Sequence, residues 1–305
     1  MSAPEDSLDR RVARPVVNRR APLERSGRPG WLKVRVRATP ELEQVKRIVS
    51  ERRLNTVCFS AACPNLNECW SRGTATFMIG GSRCTRRCAF CDVTTGRPDA
   101  LDQQEPARVA DAVAALRLRF AVVTCVARDD LPDGGASQMA ATVRAIRERC
   151  PGVGIEVLIA DYAGDEAALA AVLDARPDVL NHNLETVERL QRKVRPAASY
   201  ERSLLVLRRA GELAPGLPIK SGLILGMGER DDEIEPALRD LRAAGVTLLT
   251  LGQYLRPSPD HLPLGRWVTP AEFEAWAARA RALGFEGVAS GPLVRSSYHA
   301  ENLGR

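Results

Sequence analysis

The chain of 305 residues lacks any long apolar run. No uncharged stretch approaches the roughly 18 residues of a membrane span, so no membrane role is expected. The first thirty residues lack the apolar centre of a secretory signal, and the expected location is cytoplasmic. That stretch is Arg-rich, punctuated by proline and without apolar period ("RRVARPVVNRRAPLERSGRPG"). It reads as a flexible basic arm over 1–30. Glu5, Asp6 and Asp9 fall where mitochondrial presequences avoid acids. Aromatic residues are scarce, at 5%. No aromatic-plus-basic platform for nucleic acid is visible, and none is expected to bind. The net charge of +6 fits an acidic protein partner equally well. Histidine is rarer still. His182, His261 and His299 show no paired metal spacing. No glycine-rich phosphate loop follows the first strand-like segment, which argues against a dinucleotide-binding sheet.

Cysteine is what the chain has. There are eight, and six lie between Cys58 and Cys91. A disulfide framework would need an export signal. In a reducing compartment, clustered cysteines read as metal ligands or redox groups. Cys125, in "AVVTCVA", is expected to be a small core residue. Cys150 is expected to end a helix, with no chemistry. The stretch "CTRRCAFC" sets Cys84, Cys88 and Cys91 in a C-x3-C-x2-C loop, and no fourth cysteine follows within thirty residues. Metal-binding thiolates usually come in fours. Such a loop can wrap a cube of iron and sulfide, one thiolate to an iron, and leave one iron open. An open position separates a reactive centre from a structural one. Upstream, "CFSAACPNLNECW" sets Cys58, Cys63 and Cys69 as C-x4-C-x5-C, again one ligand short.

Along the chain, strand-like and helix-like segments alternate. The strands are "TATFMIG", "FAVVTCVA", "GIEVLIA", "DVLNHNLE", "PIKSGLILGMG" and "TLLTLGQYL". They are apolar on both faces, as a parallel sheet covered by helices requires. Helical periods lie between them. Gly245 closes one helix, and Thr269 with Pro270 opens the last. "LEQVKRIVSERRLNTVC" reads as a helix leading into the first cysteines. Six β-α units fit a partial barrel or an open doubly wound sheet, with chemistry at the C-terminal strand ends. Polar residues gather there: "CTRRC", "ARDDLPDGG", "NHNLE" and "QYLRPSPDHLP".

"CTRRCAFC", with its aromatic Phe90, resembles the cluster loop of the radical S-adenosylmethionine (SAM) enzymes. Together with "ACPNLNECW", "RDDLPDGGA", "VLNHNLETV", "KSGLILGMGE" and "VRSSYHA", in that order, the chain resembles the lipoyl synthase family from about Trp31 onward. The resemblance implies an α/β fold, a partial (β/α)6 TIM-like barrel over 76–285. Extensions at 31–75 and 286–305 would hold an auxiliary cluster. It implies two 4Fe–4S clusters, one on Cys84, Cys88 and Cys91, the other on Cys58, Cys63, Cys69 and a serine. Of Ser296 and Ser297, the choice falls on Ser297. It implies SAM as cofactor, with Phe90 on the adenine, Asn183 and Glu185 at the ribose and amino group, and Arg195 at the carboxylate. Asn183 and Glu185, two apart at a strand end, are expected to face one side. Asp129 and Asp130 would orient SAM or cap the helix beyond. Lys220, entering the barrel, would need a polar partner.

The implied reaction is insertion of two sulfur atoms, at C6 and C8 of an octanoyl group on a carrier lysine, with the auxiliary cluster as sulfur donor. The implied partners are an octanoylated carrier (the H protein or the E2 component of a 2-oxoacid dehydrogenase), a ferredoxin or flavodoxin, and an iron–sulfur carrier. The sequence departs from the family pattern at Asn55, Phe59, Ser60, Cys125, Ala127, Ala160 and Ala163. These leave open another acylated carrier. From a different class, a zinc-stabilised nucleic-acid-binding protein would also use both cysteine groups.

Overall fold

A computed structural model describes residues 27–33, 38–72 and 75–303. Up to residue 26, the basic arm expected over 1–30 lies outside them. The first helix, α1 (Pro40–Glu51), starts at Thr39, whose side chain accepts from Leu42 N–H, with Pro40 in the first turn. Leu42, Val45, Ile48 and Val49 form its buried face. The helix expected to run on to Cys58 stops here instead. Arg53 takes a left-handed φ of 50°, and the chain turns into a short strand, β1 (Asn55–Thr56). Two short helices follow, α2 (Val57–Ser60) and α3 (Leu66–Ser71).

The six expected strands form: β2 (Thr76–Ile79), β3 (Phe120–Cys125), β4 (Gly154–Leu158), β5 (Val179–Asn181), β6 (Ile219–Leu225) and β7 (Leu248–Gln253). Helices connect them: α4 (Glu105–Ala115), α5 (Ala136–Arg149), α6 (Glu166–Leu173), α7 (Gln191–Val194), α8 (Tyr200–Leu213), α9 (Asp231–Ala243) and α10 (Pro270–Ala282). The last of these opens on a full capping box. Thr269 Oγ1 accepts from Glu272 N–H, and the Glu272 carboxylate accepts from Thr269 N–H.

An eighth strand, β8 (Gly287–Gly291), comes from the stretch expected as a C-terminal extension. Strand order is sequential from β1 to β8. All ladders from β2 to β8 are parallel, and β1 lies antiparallel to β2. Among the described residues no ladder joins β8 to β1 or β2, so the barrel is open along that seam. After β8 the chain turns back inside the barrel. A Cβ on Gly252 would overlap the Val294 carbonyl, and one on Gly287 the Leu303 carbonyl. Glycine is needed at both positions for this close approach.

A polar layer sits low in the barrel. Lys220 Nζ lies 2.8 and 3.0 Å from the two Glu156 carboxylate oxygens, and the Asn181 amide donates to Glu156 at 2.9 Å. Each charged side chain of the pair is 1% exposed. The polar partner expected for Lys220 is therefore Glu156. Among the described residues, no helix is long and apolar enough to cross a membrane.

Candidate active site

Above that layer, a cavity of about 400 Å³ opens at the C-terminal ends of the strands. Gly222 and Ile224, two and four residues beyond Lys220 on β6, line it. Both cysteine groups open onto it, and so do Phe90, Asn183, Glu185, Arg195, Ser296 and Ser297. The topology thus gathers one group of expected site residues from five separate stretches of chain.

The Cys84 loop follows β2 and is held by backbone bonds. Cys84 N–H donates to Thr94 O at 2.9 Å, and Gly96 N–H to Cys84 O at 3.0 Å. Cys84 Sγ accepts from the amides of Arg86 (3.4 Å) and Ala127 (3.3 Å). Farther along, Ala89 N–H reaches Val194 O at 2.8 Å, and a His261 ring nitrogen lies 3.1 Å from Cys91 O. His261 thus has a positioning contact that its spacing in the sequence did not disclose.

Burial is the main influence on the thiols. It pushes Cys88 up to about 11 and Cys91 up to about 12. It pushes Cys58 up to about 11, and it raises Cys69 further. Thiolates here need a strong positive charge, which a metal centre supplies. Among the described residues no three His, Cys, Asp or Glu side chains converge as ligands of a single ion. A cubane makes no such demand, because each thiolate binds its own iron. The donors are soft and at least half-buried, and amide N–H groups point at the Cys84 sulfur, so the residues present fit an iron–sulfur cluster.

The second set lies against the returning C-terminal segment. Asn65, before α3, turns its amide to Leu293 O at 2.7 Å rather than capping the helix. Tyr298 Oη donates to Glu68 at 2.9 Å, and Arg72 meets His299 at 2.9 Å. These three contacts latch the serine segment onto the helix that carries Cys69. Arg295, half-buried between them, has its guanidinium destabilised by desolvation, with Cys63 and Glu185 opposing that effect.

On the opposite wall, β5 ends at Asn181, so simple alternation does not place Asn183 and Glu185 as expected. Glu185 instead adopts φ 68° and bridges to Leu223, with its N–H on Gly222 O at 2.9 Å. A left-handed non-glycine residue costs on the order of 1–3 kcal/mol and is held by its surroundings. Burial raises the Glu185 carboxyl, against the pull of Arg195 and Asn183. Asn183 Oδ1 is buried with no hydrogen-bond partner among the described residues. Arg195 is buried, donating to Leu184 O and Ser203 Oγ, both at 3.1 Å. Among the described residues it has no ion pair, which leaves a buried cation facing the cavity. His182, also lining the cavity, spends its ring nitrogens on Ile159 O and Ser203 Oγ, and burial lowers it to about 4.

Two expectations are corrected. Cys125 is half-buried and lines the cavity, because β3 ends there at the barrel mouth. Asp129 pairs with Arg86 and Asp130 with Arg128, so neither caps α5. Asp133 does that, accepting from Gly135 and Ser137 N–H. In the turn after β4, Tyr162 and Ala163 are left-handed at φ 45° and 54° without being glycine. Nothing in "LIADYAGD" signalled that strain.

A seam-open parallel barrel, with a three-thiolate loop after its first parallel strand, defines a protein of the radical SAM class. The family model described as the Radical SAM superfamily matches residues 78–241, from β2 into α9. Among curated relatives, the lipoyl synthase of Rubrobacter xylanophilus is 56% identical over 276 residues, 90% of this chain and 86% of that one. The lipoyl synthase of Methylococcus capsulatus is 55% identical over 282 residues, 92% of this chain and 87% of that one. The chain belongs to the lipoyl synthase family. Two solved structures share the fold at low identity. Methylornithine synthase has TM-score 0.50 and 16% identity, over 76% of this chain and 64% of that one. HydG, a hydrogenase maturase, has TM-score 0.54 and 15% identity, over 82% and 63%.

Proposed function

We propose that this chain is an enzyme that inserts sulfur at C6 and C8 of an octanoyl group held on a carrier-protein lysine. The observation that carries the reading is the shared cavity: two three-cysteine sets and a serine pair open onto one space, in a chain of the lipoyl synthase family. When bound, one cluster supplies the electron that cleaves SAM and the auxiliary cluster supplies the sulfur. The protein's own task is placement and exclusion.

Cys84, Cys88 and Cys91 would hold the first cluster, and a set of three thiolates would leave it room to take SAM. Arg195, a buried cation with no ion pair among the described residues, takes the SAM carboxylate. Glu185, its carboxyl raised by burial, takes the amino group, whose positive charge favours the carboxylate form. The orphaned Asn183 oxygen accepts from a ribose hydroxyl, and Phe90 packs on the adenine. Cys58, Cys63, Cys69 and Ser297 hold the auxiliary cluster. An alkoxide is a hard ligand on a soft centre, so Ser297 is the easiest of the four to lose. The apolar wall of Met78, Val122, Leu158 and Ile224 receives the acyl chain and keeps water away. A ferredoxin or flavodoxin supplies electrons, an iron–sulfur carrier rebuilds the spent cluster, and the chain works in the cytoplasm.

Anaerobic turnover of an octanoylated carrier with SAM and a reductant tests this. A lipoyl product with two 5′-deoxyadenosine per lipoyl group is expected. SAM cleavage with no sulfur in the carrier would contradict it. One observation favours a second reading, a different acylated carrier: three departures from the family pattern, Cys125, Ala127 and Ala160, line the cavity. Faster turnover of a carrier bearing another acyl group would select it.

A further inference from the structure

Arg86 lies inside the first ligand loop, between Cys84 and Cys88, and is almost wholly enclosed at 8% exposure. Its guanidinium forks onto Asp129, with Nε 2.9 Å from Oδ2 and Nη2 2.6 Å from Oδ1. Nη2 also lies 2.6 Å from Asp161 Oδ1. The two carboxylates are not equivalent. Asp129 is 42% exposed and screened by water, while Asp161 is 0% exposed. Asp161 is also built into place. Its other oxygen accepts from Arg202 at 2.8 Å, and its Oδ1 holds Ala163 N–H at 3.1 Å in the left-handed turn. A turn that keeps two non-glycine residues, Tyr162 and Ala163, left-handed and is closed by the carboxylate it presents marks a position the fold maintains at a cost.

We propose that Arg86 and Asp161 together set the reduction potential of the cluster held by Cys84, Cys88 and Cys91. Arg86 contributes a fixed positive charge inside the ligand loop, and Asp161 partly offsets it from the buried side. The inference rests on the reading of that loop as a cluster site. Reduction adds one negative charge to the cluster. A nearby cation in a low-dielectric wall favours the reduced form, and a buried anion disfavours it. Both are positioning residues, acting on the cluster through charge and loop geometry without binding it.

The test uses the full chain with Cys58, Cys63 and Cys69 changed to Ala, so that one cluster remains. It is reconstituted and titrated with a chemical reductant in the absence of SAM, and the reduced cluster is followed by electron paramagnetic resonance. Asp161→Asn is expected to shift the midpoint to more positive potential. Arg86→Gln is expected to shift it to more negative potential, and Arg86→Lys to leave it close to the parent value. Shifts in the same direction for Asp161→Asn and Arg86→Gln, or no shift in either, overturn the proposal. If Arg86→Gln does not retain its cluster, Asp161→Asn decides alone, and an unmoved or negative midpoint refutes it. A parent chain that binds no cluster defeats the site reading itself, which separates that failure from this one.

Discussion

The pair beneath the cavity gives the sharpest stability prediction. At 2.8 Å, and with an effective dielectric of about 20, Lys220 and Glu156 attract by about 6 kcal/mol. Both side chains are 1% exposed, so removing each ion from water costs several kcal/mol. Attraction and desolvation nearly cancel, and the intact pair adds little net stability. Removing one partner is different. Lys220→Met leaves Glu156 buried with, among the described residues, only the Asn181 amide as a donor. The expected loss is about 3–5 kcal/mol, a large share of the roughly 5–15 kcal/mol that a folded domain has. Glu156→Gln with Lys220→Met removes both charges and is expected to recover at least half of it. The assay is urea unfolding of the cluster-free chain under anaerobic, reducing conditions, followed by circular dichroism. A single variant within about 1 kcal/mol of the parent would refute the reasoning. So would a double variant as unstable as the single one.

Other predictions concern the cavity walls. His182 is buried neutral, with its ordinary value of 6.5 lowered to about 4. The unfolded chain binds a proton there first, so stability is complete above pH 6.5 and falls toward pH 4, by about 3 kcal/mol in all. His182→Gln should flatten that part of the stability–pH curve, and an unchanged slope would contradict the assignment. Gly252→Ala should push the returning segment off β7, because its Cβ would overlap the Val294 carbonyl; this is read as faster proteolysis near the C-terminus at unchanged secondary structure. Tyr298→Phe removes the bond to Glu68, worth about 1–2 kcal/mol for a half-exposed charged acceptor. It should speed iron loss to a chelator from the auxiliary set and spare the Cys84 set.

Much of the barrel was legible because local and tertiary preferences agree. The six apolar runs of β2 to β7 are strands in a sheet covered on its outer face, and Thr269, Pro270 and Glu272 mark the start of α10 by side-chain chemistry alone. β8 was missed because "GVASG" has little strand propensity; its glycines answer to the segment that folds back over it. The end of α1 was missed because Arg53 adopts a left-handed conformation that no glycine advertised. In the site, cysteine spacing identified the two thiolate sets, since loop spacing is a local property. The partners of Arg86 were not readable, because Asp129 and Asp161 lie on loops after two other strands. Glu185 reaches the cavity by a bridge to β6 rather than by strand alternation, a detail only the neighbouring strand supplies.

The account's central claim is that two incomplete thiolate sets each hold a cubane cluster in one cavity. Iron and sulfide per chain, measured after anaerobic reconstitution, test it most directly, in the parent and in two triple variants. One variant replaces Cys84, Cys88 and Cys91 with Ala, the other Cys58, Cys63 and Cys69. The account predicts about eight iron and eight sulfide per parent chain, and about four of each in either variant. Zinc without sulfide in the parent, or a single triple substitution that abolishes all iron binding, would contradict it.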